Sequence, residues 1–173
     1  MNFNFRPTHL KNNIVQLSPL QEIDFDRLFA VGCDPEIWQQ HPIPTRYQEP
    51  VFRTYFEGAI ASNGAFLITE TETNEVVGCS RFYDFNADEK SIKIGYTFIG
   101  AKYWGKNFNK NIKQLMMNHV FETLENVIFE VGAQNYRSQK AIEKIGAVKI
   151  GEREIFFHQE DAKLNYLYRI SKL

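Results

Sequence analysis

Cysteine is scarce in this chain: of 173 residues only Cys33 and Cys79 carry thiols. Two isolated cysteines cannot build a disulfide framework, and no His/Cys/carboxylate spacing matches a metal-ligand pattern, so no metal is expected. Both thiols are expected to be buried and reduced. Long apolar runs are also missing. No stretch approaches the roughly 20 residues of a membrane-spanning helix, and residues 1–7 contain no apolar signal-peptide stretch. No membrane partner is expected, and a cytoplasmic location is the default. Net charge is nearly absent, at -1, so no global positive field recruits nucleic acid. There is no internal repeat and no low-complexity linker. What remains is 43% hydrophobic and 24% charged, the composition of a globular protein. The length suits one domain over 1–173 with a real core and is short for two.

The residues that are present fall into a readable order. Ile14-Val15-Gln16-Leu17 is a short strand pattern, and Ser18-Pro19 predicts the opening of a helix through Leu20, Ile23, Phe25, Leu28 and Phe29. His41-Pro42-Ile43-Pro44 excludes regular helix, because each proline restricts the residue before it. A second helix is predicted over 49–61. Residues 65–69 and 76–85 read as strands joined through Glu72-Thr73-Asn74. Ile92, Ile94, Tyr96 and Phe98 then alternate at period two, which predicts a strand with one buried face. The period changes afterwards: Ile112, Leu115, Met116, Val120 and Leu124 recur at helical spacing. Residues 127–131 suit a central strand. Asn135 is a good N-cap for a short helix that stops at Gly146. Residues 148–157 and 164–170 finish as strands. Hairpins next to strand–helix–strand crossovers imply a mixed sheet in an α/β or α+β domain.

The sharpest local feature is the join between the 92–99 strand and the following helix. Gly105 lies in the loop, Lys106 and Lys110 flank the helix start, and Lys113 follows one turn later. A helix start has unpaired N–H groups and a positive dipole end, and glycine lets a phosphate approach the backbone. The segment reads as a pyrophosphate site, or as a plain connection with a solvated basic face.

Gly95-Tyr96-Thr97-Phe98-Ile99, followed by Tyr103-Trp104-Gly105-Lys106-Asn107-Phe108-Asn109-Lys110, resembles the cofactor motif of the GNAT superfamily of N-acetyltransferases. The resemblance is to the branch that includes the ribosomal-protein-alanine N-acetyltransferases. Asn135-Tyr136-Arg137-Ser138 through Glu143-Lys144-Ile145-Gly146-Ala147 resembles the second hallmark of that superfamily. Leu17-Ser18-Pro19-Leu20 and Asp34-Pro35-Glu36-Ile37-Trp38 resemble its N-terminal region more loosely. The resemblance covers nearly the whole chain. It implies a mixed, mostly antiparallel sheet of about seven strands flanked by about four helices.

It also implies acetyl-CoA as cosubstrate, held by Phe98, Ile99, Trp104, Gly105, Lys106, Asn107, Phe108, Asn109, Lys110, Asn135 and Lys144. The acceptor it implies is the primary amine of a peptide N-terminus or a small molecule, attacking the thioester directly without an acyl-enzyme. Ser138 is the candidate to protonate the leaving sulfur, or else a helix-capping hydroxyl. Asn135 is expected to bind the pantetheine arm, to cap its helix, or both. The family pattern has glycine at Asn107, glycine or alanine at Asn109, in many members an acidic tyrosine at Ile142, and in this branch often glutamate at Lys93. Asparagine tolerates left-handed angles, so Asn107 is expected to keep the loop shape. Asp84, Glu130 and His158 are candidate bases, with a water chain to backbone carbonyls as the alternative. Trp38, Tyr47, Tyr55, Phe56, Phe82, Tyr83 and Phe85 are candidates for acceptor specificity. A homodimer is expected from the resemblance. The departures also admit a non-catalytic acyl-CoA-binding module.

Overall fold

In the computed structural model, which describes residues 3–155 and 162–172, every strand belongs to one sheet. The strands are β1 (Val15–Pro19), β2 (Ala65–Glu70), β3 (Val76–Asn86), β4 (Ser91–Ile99), β5 (Asn126–Gly132), β6 (Val148–Ile155) and β7 (Lys163–Ser171). The helices are α1 (Phe25–Gly32), α2 (Pro35–Trp38), α3 (Glu49–Ala61), α4 (Phe108–Thr123) and α5 (Tyr136–Glu143). The sheet order is β1-β2-β3-β4-β5-β7-β6, antiparallel throughout except between β4 and β5. This is the mixed, mostly antiparallel sheet expected, with one helix more. Among the described residues no helix is long and apolar enough to cross a membrane.

Both sheet faces are covered, so the central strands are apolar on both sides. In β2, Phe66 and Ile68 enter one core with Ile92, Ile94, Ile112, Met116 and Val120, beneath α4. Ala65 and Leu67 enter a second core with Leu28, Phe52, Tyr55, Phe56 and Phe98, beneath α1 and α3. Strand side chains alternate in direction, so one continuous apolar strand feeds both layers.

Three expectations change locally. Pro19 ends β1 instead of opening a helix. β1 is the outer strand of the sheet, where a missing N–H costs no ladder bond. The following turn starts at Gln21, whose N–H is accepted by Asp24. The extra helix, α2, begins at Asp34-Pro35, with the Asp34 side chain accepting the Glu36 N–H at 2.9 Å; this is the capped, proline-led start that helices favour. Cys33 is exposed at the end of α1, and only Cys79 is buried. Of the last expected strand pair, Phe156 and Phe157 lie outside the described residues.

The fourth change makes the site. Ile92, Ile94, Tyr96 and Phe98 do not share a face. Ile92 and Ile94 lie under α4, Phe98 lies under α3, and Ile99 returns to the α4 side. Two steps on β3, from Arg81 to Cys79, face three on β4, from Gly95 to Phe98. That extra residue is a β-bulge. Tyr96 sits at φ 50, and its carbonyl accepts the Tyr55 hydroxyl at 2.7 Å.

Candidate active site

Because of the bulge, β4 pairs with β5 only at Ser91, Ile92 and Lys93. Beyond Lys93 the two strands diverge, while β5 continues against β7 as far as Gly132. The gap is a cleft of about 680 Å³. Phe98, Ile99, Trp104, Gly105, Asn107, Phe108, Asn109, Lys110, Asn135, Ser138 and Lys144 all line it. Lys106 alone of the expected cofactor residues stays outside that lining, and it is exposed.

One end of the cleft is the start of α4. Gly105 has φ +74, with no atom within 4 Å of where a Cβ would stand. Asn107, the N-cap, is left-handed at φ 65, so asparagine does keep the loop shape where the family pattern has glycine. No side chain caps this end. The free N–H groups, the helix dipole and the exposed Lys110 make an anion seat that fits a phosphate group.

The middle of the cleft is the β4 edge. Gly100 N–H donates to Val77 O on β3, and Trp104 Nε1–H donates to Ile99 O on the opposite side. Strand alternation therefore turns the Ile99 N–H away from β3, toward the gap. Phe98 is a buried anchor instead, 5.1 Å from the Trp38 ring. Across the gap, the Asn135 side chain accepts the Ser138 N–H at 3.2 Å, capping α5. The cap is thus supplied by Asn135, and the Ser138 hydroxyl has no hydrogen-bond partner among the described residues. Gly146 closes α5 as expected, at φ +95.

The other end is dense with charge. Glu130 accepts from Arg153 Nε and Nη2 at 2.6 and 2.7 Å and from Lys93 Nζ at 2.8 Å, while Lys93 also reaches Asp84 at 2.9 Å. Burial works against the Glu130 carboxylate, but the hydrogen bonds from Arg153 and Lys93 hold it below the usual carboxylate range. Glu130 and Asp84, two of the expected bases, are therefore ion-paired, and Lys93 is what pairs them. The third, His158, lies outside the described residues. Of the expected specificity aromatics, Trp38 and Tyr83 line the cleft; Tyr55, Phe56 and Phe82 are spent in the cores.

Lys113 corrects another expectation. It is not on a solvated basic face. It is 3% exposed, with Nζ donating to the hydroxyls of Ser80 and Thr97, and burial pushes its pKa down to about 7. Its spacing of three and four residues from Met116 and Met117 places it on the buried stripe of α4, a signal that was readable in the sequence. Arg46, His41 and Arg153 also line the cleft without any motif announcing them, because they meet from separate segments of the chain, and Arg137 joins them from within the second hallmark. Arg137 lies 3.9 Å over the Trp104 ring and donates to Ile37 O, joining α5 to α2 across the opening. Away from the cleft, the side chains of His9, His119 and Glu122 come within 4.8 Å of one another, a grouping that no spacing in the sequence suggested.

Comparison with known proteins places this geometry. The family model described as Acetyltransf_3, acetyltransferase (GNAT) domain, matches residues 15–148. A solved structure from T. thermophilus, assigned as an acetyltransferase, superposes with a TM-score of 0.78 at 25% identity, covering 95% of this chain and 89% of that one. A GNAT-family acetyltransferase from Bacillus anthracis gives 0.76 at 20% identity, over 93% and 96% of the two chains. The Microcin C7 self-immunity acetyltransferase MccE, solved with acetyl-CoA and AMP, gives 0.77 at 13% identity, over 93% and 94%. The last two agree in fold. No match was found among curated proteins.

Proposed function

The chain belongs to the GNAT acetyltransferases, and from that premise we propose that it transfers the acetyl group of acetyl-CoA to a primary amine by direct attack. The observation that carries this reading is the uncapped start of α4. It stands behind two left-handed loop residues, at one end of the cleft that the β4–β5 divergence opens.

Acetyl-CoA supplies the activated acyl carbon and a thiolate that can leave. The rest falls to the chain. The first-turn N–H groups of α4, with Gly105 and Lys110, hold the phosphates. The Asn135 carbonyl oxygen is engaged in its cap, which leaves the amide NH₂ for the pantetheine arm. The Ile99 N–H stabilises charge developing on the carbonyl oxygen, in a site whose donors are already fixed. Ser138 Oγ, with no partner among the described residues, passes its proton to the departing sulfur and takes back the second proton that the attacking amine must lose, so the hydroxyl is restored. An amine is mostly protonated near neutral pH, so a proton must leave before attack. Ion-paired Glu130 is too weak a base for that step, and the proton leaves through water to carbonyl groups lining the cleft.

Two measurements test the reading. Acetyl-CoA at a hundred times its Kd is expected to stabilise the fold by about 2.7 kcal/mol, a rise of several degrees in Tm. No shift at millimolar acetyl-CoA would remove the cofactor site. Thiol release with a panel of peptides, amino acids, polyamines and aminoglycosides then tests transfer. Stabilisation without release from any acceptor would leave an acyl-CoA-binding module. Within the active reading, Ser138→Ala is expected to lower kcat on the order of a hundredfold with little change in acetyl-CoA affinity. Unchanged turnover would show that the hydroxyl carries no proton.

A further inference from the structure

Arg46 is a buried guanidinium with no anion beside it among the described residues. It lies in the single turn Pro44–Tyr47, is 7% exposed, and lines the cleft. Its charge rests over the rings of Trp38 and Tyr55, at 5.3 and 5.0 Å. No carboxylate reaches it among the described residues, and its Nε is buried with no hydrogen-bond partner. Arginine is almost never buried without a counter-charge.

The neighbouring contact makes the deficit specific. Arg46 Nη1 stands 3.0 Å from His41 Nε2, while the Ile43 N–H donates to His41 Nδ1 at 2.9 Å. Burial, then the Arg46 charge, pushes the His41 pKa down to about 3, so the ring is neutral. A neutral imidazole has one lone pair. Two donors, Ile43 N–H and Arg46 Nη1–H, therefore compete for it. With Nδ1 taken by Ile43, the ring proton sits on Nε2 and faces another donor. An acceptor oxygen beside this pair, within hydrogen-bond distance of both Nη1 and Nε2, would satisfy both donors. Nearby, Lys93 and Arg153 are matched by Asp84 and Glu130. Arg81, buried over the Tyr55 and Tyr96 rings, donates only to Gly58 O among the described residues, so the surroundings of Arg46 are net positive.

The position is the acceptor side. Tyr55, beneath Arg46, bonds to Tyr96 O, so Arg46 faces β4 at the bulge, ahead of Ile99. The anion seat at α4 lies beyond Ile99. Building on the transfer reading, we propose that Arg46 and His41 seat a carboxylate on the acceptor, so that the amine acetylated is that of an amino acid or short peptide rather than a polyamine.

The test uses matched acceptors with the full chain and acetyl-CoA: free amino acids and alanylalanine, the same compounds as C-terminal amides, and spermidine. The acids are expected to exceed their amides in kcat/KM by at least about tenfold, as one charge-assisted pair predicts. Arg46→Met is expected to erase that ratio, and Arg46→Lys to restore part of it. Free amino acid against dipeptide then tells which source supplies the carboxylate. Equal rates for acid and amide, or a preference for spermidine, overturn the proposal. Should no amine be turned over, the transfer reading fails by itself, and calorimetry with the same pairs decides the carboxylate seat. Saturable binding of an acid but not its amide, lost in Arg46→Met, upholds it, and no binding of any acid overturns it.

Discussion

Gly105→Asp is expected to raise the Kd for acetyl-CoA at least about tenfold while costing the fold only about 1 kcal/mol. The stability cost comes from the backbone. Gly105 sits at φ +74, where an L-residue strains, but nothing lies within 4 Å of the new Cβ, so no clash adds to it. The affinity cost comes from the ligand. A carboxylate roughly 5 Å from a phosphate charge is repelled by roughly 1–3 kcal/mol as the effective dielectric falls from bulk water to a protein surface. It also occupies the space through which the phosphate approaches the helix start. Gly146→Asp is the matching control. Gly146 is left-handed too, at φ +95, with open space around it, and lies outside the cleft lining. It should lose similar stability and no affinity. Calorimetry on both variants separates the two costs, and added salt should narrow the Gly105→Asp deficit. An unchanged Kd in Gly105→Asp would move the phosphates away from α4.

The same loop shows what a sequence can carry. Gly105, Asn107 and the helix after them are contiguous, so backbone freedom, cap and dipole are all visible in one short stretch. Asn135 and Gly146 are legible for the same reason, since each acts on the few residues beside it. The bulge at Tyr96 is not legible. Ile92, Ile94, Tyr96 and Phe98 satisfy a period of two on paper, and the extra residue exists only by comparison with Arg81 and Cys79 on β3. Yet that bulge separates β4 from β5, so the cleft itself was hidden while its lining residues were in view. The charged groups fail differently. Lys93 reads as a missing acid until Asp84 and Glu130 arrive from other strands and make it a counter-ion. Arg46 and His41 sit in a segment that proline marks only as irregular. Their meaning lies in the count of donors between them.

A buried charge with no carboxylate partner among the described residues also makes a prediction about stability. Lys113→Met is expected to stabilise the protein by about 2–4 kcal/mol at pH 6, a gain that fades as the pH approaches 10. The sign follows from proton binding. The unfolded lysine has a pKa near 10.5, whereas burial pushes the folded value down to about 7. Between those values the unfolded chain binds more protons, so the wild type gains stability as pH rises through the window. Below about 7 the full penalty of burying the ammonium is present, on the order of 5 kcal/mol for such a shift, less what the substitution itself disturbs. Methionine fills nearly the same volume and carries no proton. Ser80 and Thr97 keep their mutual hydrogen bond at 2.8 Å, so neither hydroxyl is orphaned. For a chain of this size, 2 kcal/mol moves Tm by about 4–8 °C. Unfolding of both proteins at pH 6 and at pH 9.5 checks the prediction; a difference that does not depend on pH, or a loss at pH 6, would refute the unpaired charge. The activity of the same variant then says why a lysine stands there. Its donor reaches Thr97, which with Tyr96 faces Ser80 in the bulge that opens the cleft. A more stable protein with slower transfer would mean that the buried ammonium holds β4 in its open shape at a cost to stability.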